Sequence, residues 1–154
     1  MLAYVFWHRP RPDVDQAVYE DALRRFHDTL ENPSAAFRLD ELPFGDRGPG
    51  YEDWYLAEDW TALGELNARA VDARHRPAHD APAGMSGRGW GGVYALARGP
   101  AEPPALARWE HRAPAGEGAG GLWQRQMVLG PAPEFCLVDG SAEGRVPIRD
   151  ARSS

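Results

Sequence analysis

Length, composition and charge exclude several classes of protein. The 154 residues are 43% hydrophobic and 26% charged, a composition typical of one globular domain and not of a disordered chain. The net charge of −6 argues against a nucleic-acid-binding surface, which needs an excess of basic groups on one face. All 17 residues of the Lys/Arg class are arginines, which excludes Schiff-base chemistry on lysine and a phosphate-binding loop ending in Gly-Lys-Ser/Thr.

Two features bear on the location of the protein. No apolar run is long enough to cross a bilayer, and the single Cys136 cannot form an internal disulfide, which suits a reducing compartment. Residues 1–7 are apolar but lack a basic leader and end at His8-Arg9-Pro10, so they are typical of a buried strand and not of a signal peptide. The sequence therefore predicts a cytoplasmic protein without a membrane span.

The first half of the chain predicts alternating strands and helices. Residues 2–8 are rich in aromatic and β-branched side chains, which favours a strand. Asp13 offers an N-cap for an amphipathic helix over residues 14–30, where apolar side chains recur every four positions. Residues 36–42 and 51–57 predict two strands, and a second helix that begins at Asp59 or Thr61 is expected to end near residues 74–77.

The second half predicts one more strand and an extension. After a Gly-rich loop at residues 84–92, residues 93–97 complete the order β-α-β-β-α-β. That order predicts an α+β fold of ferredoxin-like type, in which we expect the first and third strands to be adjacent and parallel. Residues 107–112 and 122–129 predict an added C-terminal hairpin. We expect one domain over residues 1–138 and a polar tail over residues 139–154.

The predicted element order, on an aromatic-rich sheet, resembles the dimeric α/β-barrel superfamily. This fold-level resemblance covers residues 1–97. Two segments, residues 51–56 (Tyr-Glu-Asp-Trp-Tyr-Leu) and residues 126–137, are similar to stretches of uncharacterised bacterial proteins. The resemblance implies a homodimer and no particular reaction, because the superfamily includes cofactor-independent monooxygenases, haem-handling enzymes, isomerases and proteins with no known reaction.

Three short patterns point to chemistry but fit a structural role better. Residues 87–92 match G-x-G-x-x-G, but they lead into a predicted strand, whereas a dinucleotide site needs the glycines to open a helix. His75 and His79 have the spacing of two metal ligands on one helix face, but Pro77 lies between them, so we do not expect the segment to form a regular helix. No Cys is near, and no Glu stands at the place that H-E-x-x-H requires. Cys136 has apolar neighbours and is expected to be a buried, inert thiol. We predict no metal site.

Strand phase predicts one cluster of candidate site residues. Successive side chains of a strand alternate between its two faces, and both faces of the first and fourth predicted strands are apolar. A ferredoxin-like sheet carries helices on one face only. We therefore expect a second copy of the chain to cover the other face, and a His8 found on the helix-covered face would contradict this placement. The residues placed on the face between the two copies are Tyr4, His8, Asp53, Tyr55, Trp90 and Tyr94.

These residues predict a pocket for a small aromatic or apolar molecule. His8 is the candidate general acid or base, because an imidazole titrates near neutral pH. Tyr55 and Asp53 are the candidate groups that orient His8 or the substrate. The candidate substrate-binding walls are Tyr4, Trp90 and Tyr94.

Two functions from different classes fit this pocket. By resemblance to the superfamily alone, the first is a monooxygenase-like enzyme that oxygenates an electron-rich aromatic without a cofactor. The second is a non-catalytic binding or interaction protein whose barrel core is filled by the same side chains. A cavity beside His8 favours the first function, and a closed core favours the second.

Overall fold

The chain forms a strand-rich structure in which one sheet wraps partly around itself. The computed structural model describes residues 1–112, 114, 120–129, 132–138 and 145–149. Within these ranges, eight strands form a single sheet that curls into a half-barrel, accompanied by three short helices. Every pair of neighbouring strands is antiparallel.

The elements and their bounds are as follows. The helices are α1 (Gln16–Asp28), α2 (Trp60–Ala70) and α3 (Arg76–Met85). The strands follow the spatial order β5-β7-β6-β4-β1-β3-β2-β8. Their bounds are β1 (Leu2–Pro10), β2 (Ser34–Leu39), β3 (Gly50–Ala57), β4 (Ser86–Arg98), β5 (Arg108–Glu110), β6 (Gly121–Leu129), β7 (Phe135–Val138) and β8 (Arg145–Arg149).

Aspartate side chains fix the starts of two helices. Asp15 accepts hydrogen bonds from two backbone N–H groups in the first turn of α1, and Asp59 accepts one from the backbone of Ala62 in α2. Aspartate suits this position because its carboxylate satisfies backbone donors that a helix leaves unpaired. Asp59 is one of the two caps predicted for the second helix. The cap of α1 lies two residues beyond the predicted Asp13.

The third helix, α3, is missing from the sequence prediction. Its first turn contains Pro77 and its interior contains Pro82. A proline in the first turn costs no hydrogen bond, because the N–H groups there have no partner within the helix. The prediction that Pro77 keeps the segment of His75 and His79 from forming a regular helix is therefore wrong.

The predicted ferredoxin-like α+β fold, and with it the dimeric α/β-barrel architecture, is wrong. The sheet has eight strands that curl into a half-barrel, with only three short helices. The expected parallel pairing of the first and third strands is also wrong, because β1 pairs antiparallel with β3, from Leu2 opposite Ala57 to His8 opposite Tyr51. The additional strands pair with the two strands that a smaller sheet would leave as edges: β6 with β4, and β8 with β2. An unpaired edge exposes backbone donors and acceptors, and these strands cover them.

The C-terminal expectations also need correction. β5 and β6 do not pair with each other, because β7 lies between them and places Cys136 opposite both Trp109 and Trp123. The predicted hairpin is therefore wrong. Part of the predicted polar tail forms β8, which pairs with β2. The rest of that tail, residues 139–144 and 150–154, lies outside the described residues.

Each face of the sheet is covered within one chain. Inside the curl, Trp7, Trp54 and Tyr94 are fully buried. On the opposite face, side chains of α1 and α2 pack against Tyr4 and Tyr55 of the sheet. The argument for a homodimer from an uncovered apolar face is therefore wrong, and homodimerisation itself stays a prediction. In the described part of the chain, no helix is long and apolar enough to cross a membrane.

Candidate functional site

A cavity of about 570 Å³ lies between the sheet and the three helices. Ligand sites commonly have volumes of about 300–1,000 Å³ and are apolar with a few converging polar groups. Aliphatic and aromatic side chains form most of the cavity wall. Polar groups from β1, β3, α1 and β4 lie together at the end of the cavity next to the sheet. The polar residues at the sheet end are His8, Tyr19, Asp53, Tyr55 and Ser86.

Strand pairing brings four of the predicted site residues to this cavity. In the antiparallel β1–β3 pair, Tyr4 lies opposite Tyr55, and Phe6 lies opposite Asp53. Opposite residues share a face, and alternation adds His8 to the same face. Tyr4, His8, Asp53 and Tyr55 all line the cavity. The helices cover this face, so the predicted placement of His8 between two copies of the chain is contradicted.

The other two predicted residues lie on the opposite face. The β1–β4 register places Trp90 opposite Trp7, and Tyr94 opposite Ala3, so both side chains point into the curl. There Tyr94 donates a hydrogen bond to the Pro133 carbonyl at 2.6 Å. Trp90 and Tyr94 therefore do not line this cavity. The apolar walls instead include Phe6, Leu23, Phe26, Leu63, Leu66 and Val93.

Glycines of β4 make room for the aromatic rings of β1. A Cβ atom added at Gly89 would lie 2.7 Å from Phe6 Cε2, and one added at Gly91 would lie 2.8 Å from Tyr4 Cε2. Real Cβ atoms do not approach other heavy atoms so closely. The G-x-G-x-x-G match is thus part of a strand on which the Tyr4 and Phe6 rings lie, and it opens no helix.

A chain of polar contacts runs along the sheet end of the cavity. His8 Nδ1 lies 2.6 Å from Tyr19 Oη, and Tyr19 Oη lies 2.8 Å from Ser86 Oγ. The Ser86 hydroxyl donates to the Pro82 carbonyl at 3.0 Å. On its other side, His8 Nε2 lies 3.0 Å from Asp53 Oδ2, an ion-pair distance at an angle outside hydrogen-bond geometry. His8, Tyr19 and Asp53 are all buried.

The number of protons available to these groups determines which group donates in each hydrogen bond. The Pro82 carbonyl can only accept, so the Ser86 hydroxyl donates to it, Tyr19 donates to Ser86, and His8 Nδ1 donates to Tyr19. Contact with the Asp53 carboxylate needs a second proton on His8 Nε2. When all the contacts are satisfied, His8 is therefore a cation. A neutral His8 that carries its proton on Nε2 reverses the order, because Tyr19 then donates to His8 Nδ1 and Ser86 donates to Tyr19 in place of Pro82.

Asp53 is the anionic centre of the site. Burial works to raise the pKa of its carboxyl, but the His8 and His27 rings that face the carboxylate outweigh burial and lower that pKa. Tyr55 donates a hydrogen bond to Asp53 Oδ2 at 3.0 Å. Burial, followed by the Asp53 charge, raises the pKa of Tyr55, and burial likewise raises the pKa of Tyr19. Both phenols therefore stay protonated donors.

Four buried atoms of this centre have no hydrogen-bond partner among the described residues, and two of them, the Nε2 atoms of His8 and His27, face the Asp53 carboxylate. Asp53 Oδ1 is buried and has no hydrogen-bond partner among the described residues, and the same holds for His27 Nδ1. The His27 ring stacks on the Tyr55 ring with centroids 5.0 Å apart, and its Nε2 lies 3.6 Å from Asp53 Oδ2. Buried polar atoms normally have partners, so the free acceptor of Asp53, a cavity-lining residue, is suited to a ligand donor.

Sequence reasoning missed Tyr19, His27 and Ser86. The spacing of Tyr19, Leu23 and His27 at intervals of four places them on one face of α1, and that is the signal for His27: a histidine continuing an apolar stripe. Ser86 carries no comparable signal. It joins the site because β4 begins there, immediately after α3.

The two histidines considered as metal ligands have other partners. His75 Nδ1 lies 2.8 Å from Asp72 Oδ1, whereas His79 lines the cavity and meets the Phe26 ring edge-on at 5.6 Å. Within the described ranges, no group of three or more His, Cys, Asp or Glu side chains is arranged to hold a metal ion. Cys136 is fully buried.

Comparison with known proteins adds no relative to this picture. No protein-family model, no curated protein and no solved structure matches the chain. The resemblance to dimeric α/β-barrel proteins therefore stays untested as a relationship, and the argument for function depends on the geometry of the cavity.

Proposed function

We propose that the chain binds a small, mainly apolar or aromatic molecule in the cavity and exchanges a proton with it through the His8–Asp53 pair. One observation carries this proposal: the Ser86–Tyr19–His8–Asp53 chain forms the polar end of a cavity whose other walls are mainly apolar. A buried carboxylate paired with an imidazole beside a cavity is an arrangement that general acid–base catalysis uses.

The contacts assign a role to each group. Asp53 balances the charge of His8, and Tyr55 holds Asp53 through its hydroxyl. Ser86 and Tyr19 line the cavity and connect it to His8. If Ser86 accepts a proton from the substrate, each hydrogen-bonded proton shifts by one group, so that His8 becomes cationic and the substrate anionic. Returning the proton by the same route restores both.

The alternative function, binding without turnover, is favoured by the enclosure of His8. Its side chain is 2% exposed, and its two ring nitrogens face Tyr19 and Asp53. A substrate therefore reaches His8 only through Tyr19 or Ser86. The monooxygenase-like reaction expected from the superfamily resemblance stays a prediction, as do the homodimer and the cytoplasmic location.

A thermal-shift screen tests the binding proposal. We expect phenols and aromatic amines from a fragment library to raise the melting temperature of the wild-type protein, because Asp53 offers a free acceptor in an aromatic cavity. Hits are then measured by calorimetric titration against His8→Gln and Tyr55→Phe. The control is His75→Gln, because His75 pairs with Asp72 and does not line the cavity.

Binding and proton-exchange measurements with the compounds found in the screen distinguish an enzyme from a binding protein. We expect His8→Gln to weaken binding roughly tenfold or more, because Gln cannot take up the proton that Tyr19 passes on and the hydrogen bond between Ser86 and the ligand is then no longer charge-assisted. His75→Gln should bind like the wild type. Mass spectrometry after long incubation, or deuterium exchange from D₂O into the hit, reports proton transfer. Binding without exchange supports the alternative, and equal binding by wild type and His8→Gln contradicts the proposal.

A further inference from the structure

A second ionisable group is buried on the other face of the sheet, inside the curl. Glu52 of β3 is fully buried, and its carboxylate accepts hydrogen bonds from three indole N–H groups. The distances are 3.0 Å from Trp7, 2.5 Å from Trp54 and 2.7 Å from Trp109. These indoles come from β1, β3 and β5, so the sheet converges its tryptophans on one carboxylate.

A guanidinium group completes this arrangement. Arg145 of β8 forms an ion pair with Glu52, and only 3% of its side chain is exposed. Its guanidinium carbon lies 3.6 Å above the centroid of the Phe37 ring and 6.0 Å from that of Trp54. The Pro104 carbonyl accepts a further hydrogen bond from Arg145. We call Trp7, Phe37, Glu52, Trp54 and Trp109 the Glu52 cage.

The chemistry of the Glu52 cage is specific for a flat cation. Three neutral indoles orient the carboxylate but leave its charge uncompensated, and a buried charge without a counter-charge is costly. A guanidinium matches the site because it can lie on an aromatic face while its N–H groups point in the plane at a carboxylate and a carbonyl. An ammonium group offers no such plane.

The occupant arrives from a distant part of the chain. β8 is a five-residue strand that joins the sheet at its edge, by pairing with β2. The Arg145 side chain thus enters a cage whose members belong to β1, β2, β3 and β5. The residues of the cage all belong to strands other than β8.

We propose that the Glu52 cage is a guanidinium-binding site, separate from the His8 cavity, whose ligand is an arginine side chain. In this chain Arg145 is that ligand. A cage emptied of Arg145 binds a free guanidinium compound from solution and selects it over an ammonium compound.

Chemical rescue of Arg145→Ala tests this site. Methylguanidinium chloride at low millimolar concentration is expected to raise the melting temperature of this variant saturably, by about 3 °C or more. Methylammonium chloride and sodium chloride at equal ionic strength should not. The matched control is Arg149→Ala, because Arg149 lies on the same strand but binds Asp28 and Ser34 outside the cage.

The outcomes decide the proposal. Saturable rescue of Arg145→Ala that is absent from wild type, from Arg149→Ala and from the Glu52→Gln/Arg145→Ala double variant supports it. An equal rise in melting temperature in the wild type and the three variants, or equal rescue by methylammonium, overturns the proposal. If Arg145→Ala does not fold, Arg145→Met keeps the aliphatic stem and is tested in the same way. Failure of methylguanidinium to restore cooperative unfolding to either variant also overturns the proposal.

Discussion

Asp53 shows how single residues set the electrostatics of the cavity. Its carboxylate is buried between His8, His27 and Tyr55, and one of its oxygens has no hydrogen-bond partner within the described ranges. A carboxylate in that position is stable only while a cation or several donors face it. The neighbouring residues therefore fix both its charge and the polarity of a suitable ligand.

The lowered pKa of Asp53 predicts a pH-dependent contribution to stability. The folded-state pKa lies below the unfolded value of about 3.9. The contribution is therefore complete above about pH 5 and is lost as pH falls through the unfolded value toward the folded one. Urea unfolding of wild type and Asp53→Asn should show a stability difference of about 3–5 kcal/mol near neutral pH that narrows toward about pH 3.

A surface pair provides the control for this measurement. Asp72 also has a lowered pKa, caused by hydrogen bonds from the backbone and side chain of His75, but it lies at the surface, where solvent screens the interaction. Asp72→Asn should therefore change stability less than Asp53→Asn does at every pH. A stability difference for Asp53→Asn that stays constant from neutral to acid pH contradicts the assigned charge state.

At the scale of elements, β4 determines the shape of the cavity through residues that lack a side chain. Gly89 and Gly91 face the cavity, and the rings of Phe6 and Tyr4 occupy the space above them. On the other face, the same strand places Trp90 and Tyr94 in the tryptophan-rich core. One strand therefore serves two different environments.

Gly91→Ala tests the role of β4. The added methyl group would overlap the Tyr4 ring and push it into the cavity, so we expect a loss of about 1–3 kcal/mol in the free energy of unfolding. Gly64→Ala in α2 is the control, since its added Cβ would meet no described heavy atom within 4 Å beyond the neighbouring residues and backbone of its own helix. That change should stabilise by up to about 1 kcal/mol, because alanine is the better helix former. A free energy of unfolding for Gly91→Ala equal to that of the wild type would contradict the expected overlap of the added methyl group with the Tyr4 ring.

The elements also show which local features the sequence determines. Alternation along β1 places Tyr4 and His8 on one face, and alternation along β3 does the same for Asp53 and Tyr55, because phase within a strand is a local property. That the two pairs share a face depends on the β1–β3 register. The face of Trp90 relative to His8 depends on the β1–β4 register, which no local pattern specifies. In the same way, α3 escaped prediction because Pro77 signals a helix break except in the first turn.

At the scale of the whole molecule, the curl of the sheet separates two buried polar centres. The His8–Asp53 pair faces the helices, and the Glu52–Arg145 pair faces the inside of the half-barrel. Adjacent positions 52 and 53 of β3 point to opposite faces, which explains how neighbouring acidic residues belong to different centres. The curl and the edge strands arise from pairing between residues far apart in the chain. The local pattern of residues 1–97 therefore does not predict them.

A small molecule that binds beside His8 is expected to shift the proton of that imidazole. A long-range ¹H–¹⁵N spectrum of the five histidine rings, recorded with and without the strongest hit of the fragment screen, reports this shift. The ring nitrogens of His8 should change their chemical shifts on saturation, with His27 responding through Asp53, while His75 stays unchanged. Changes confined to His75, or a saturated complex in which the His8 nitrogens keep their chemical shifts, would rule out the proposed function.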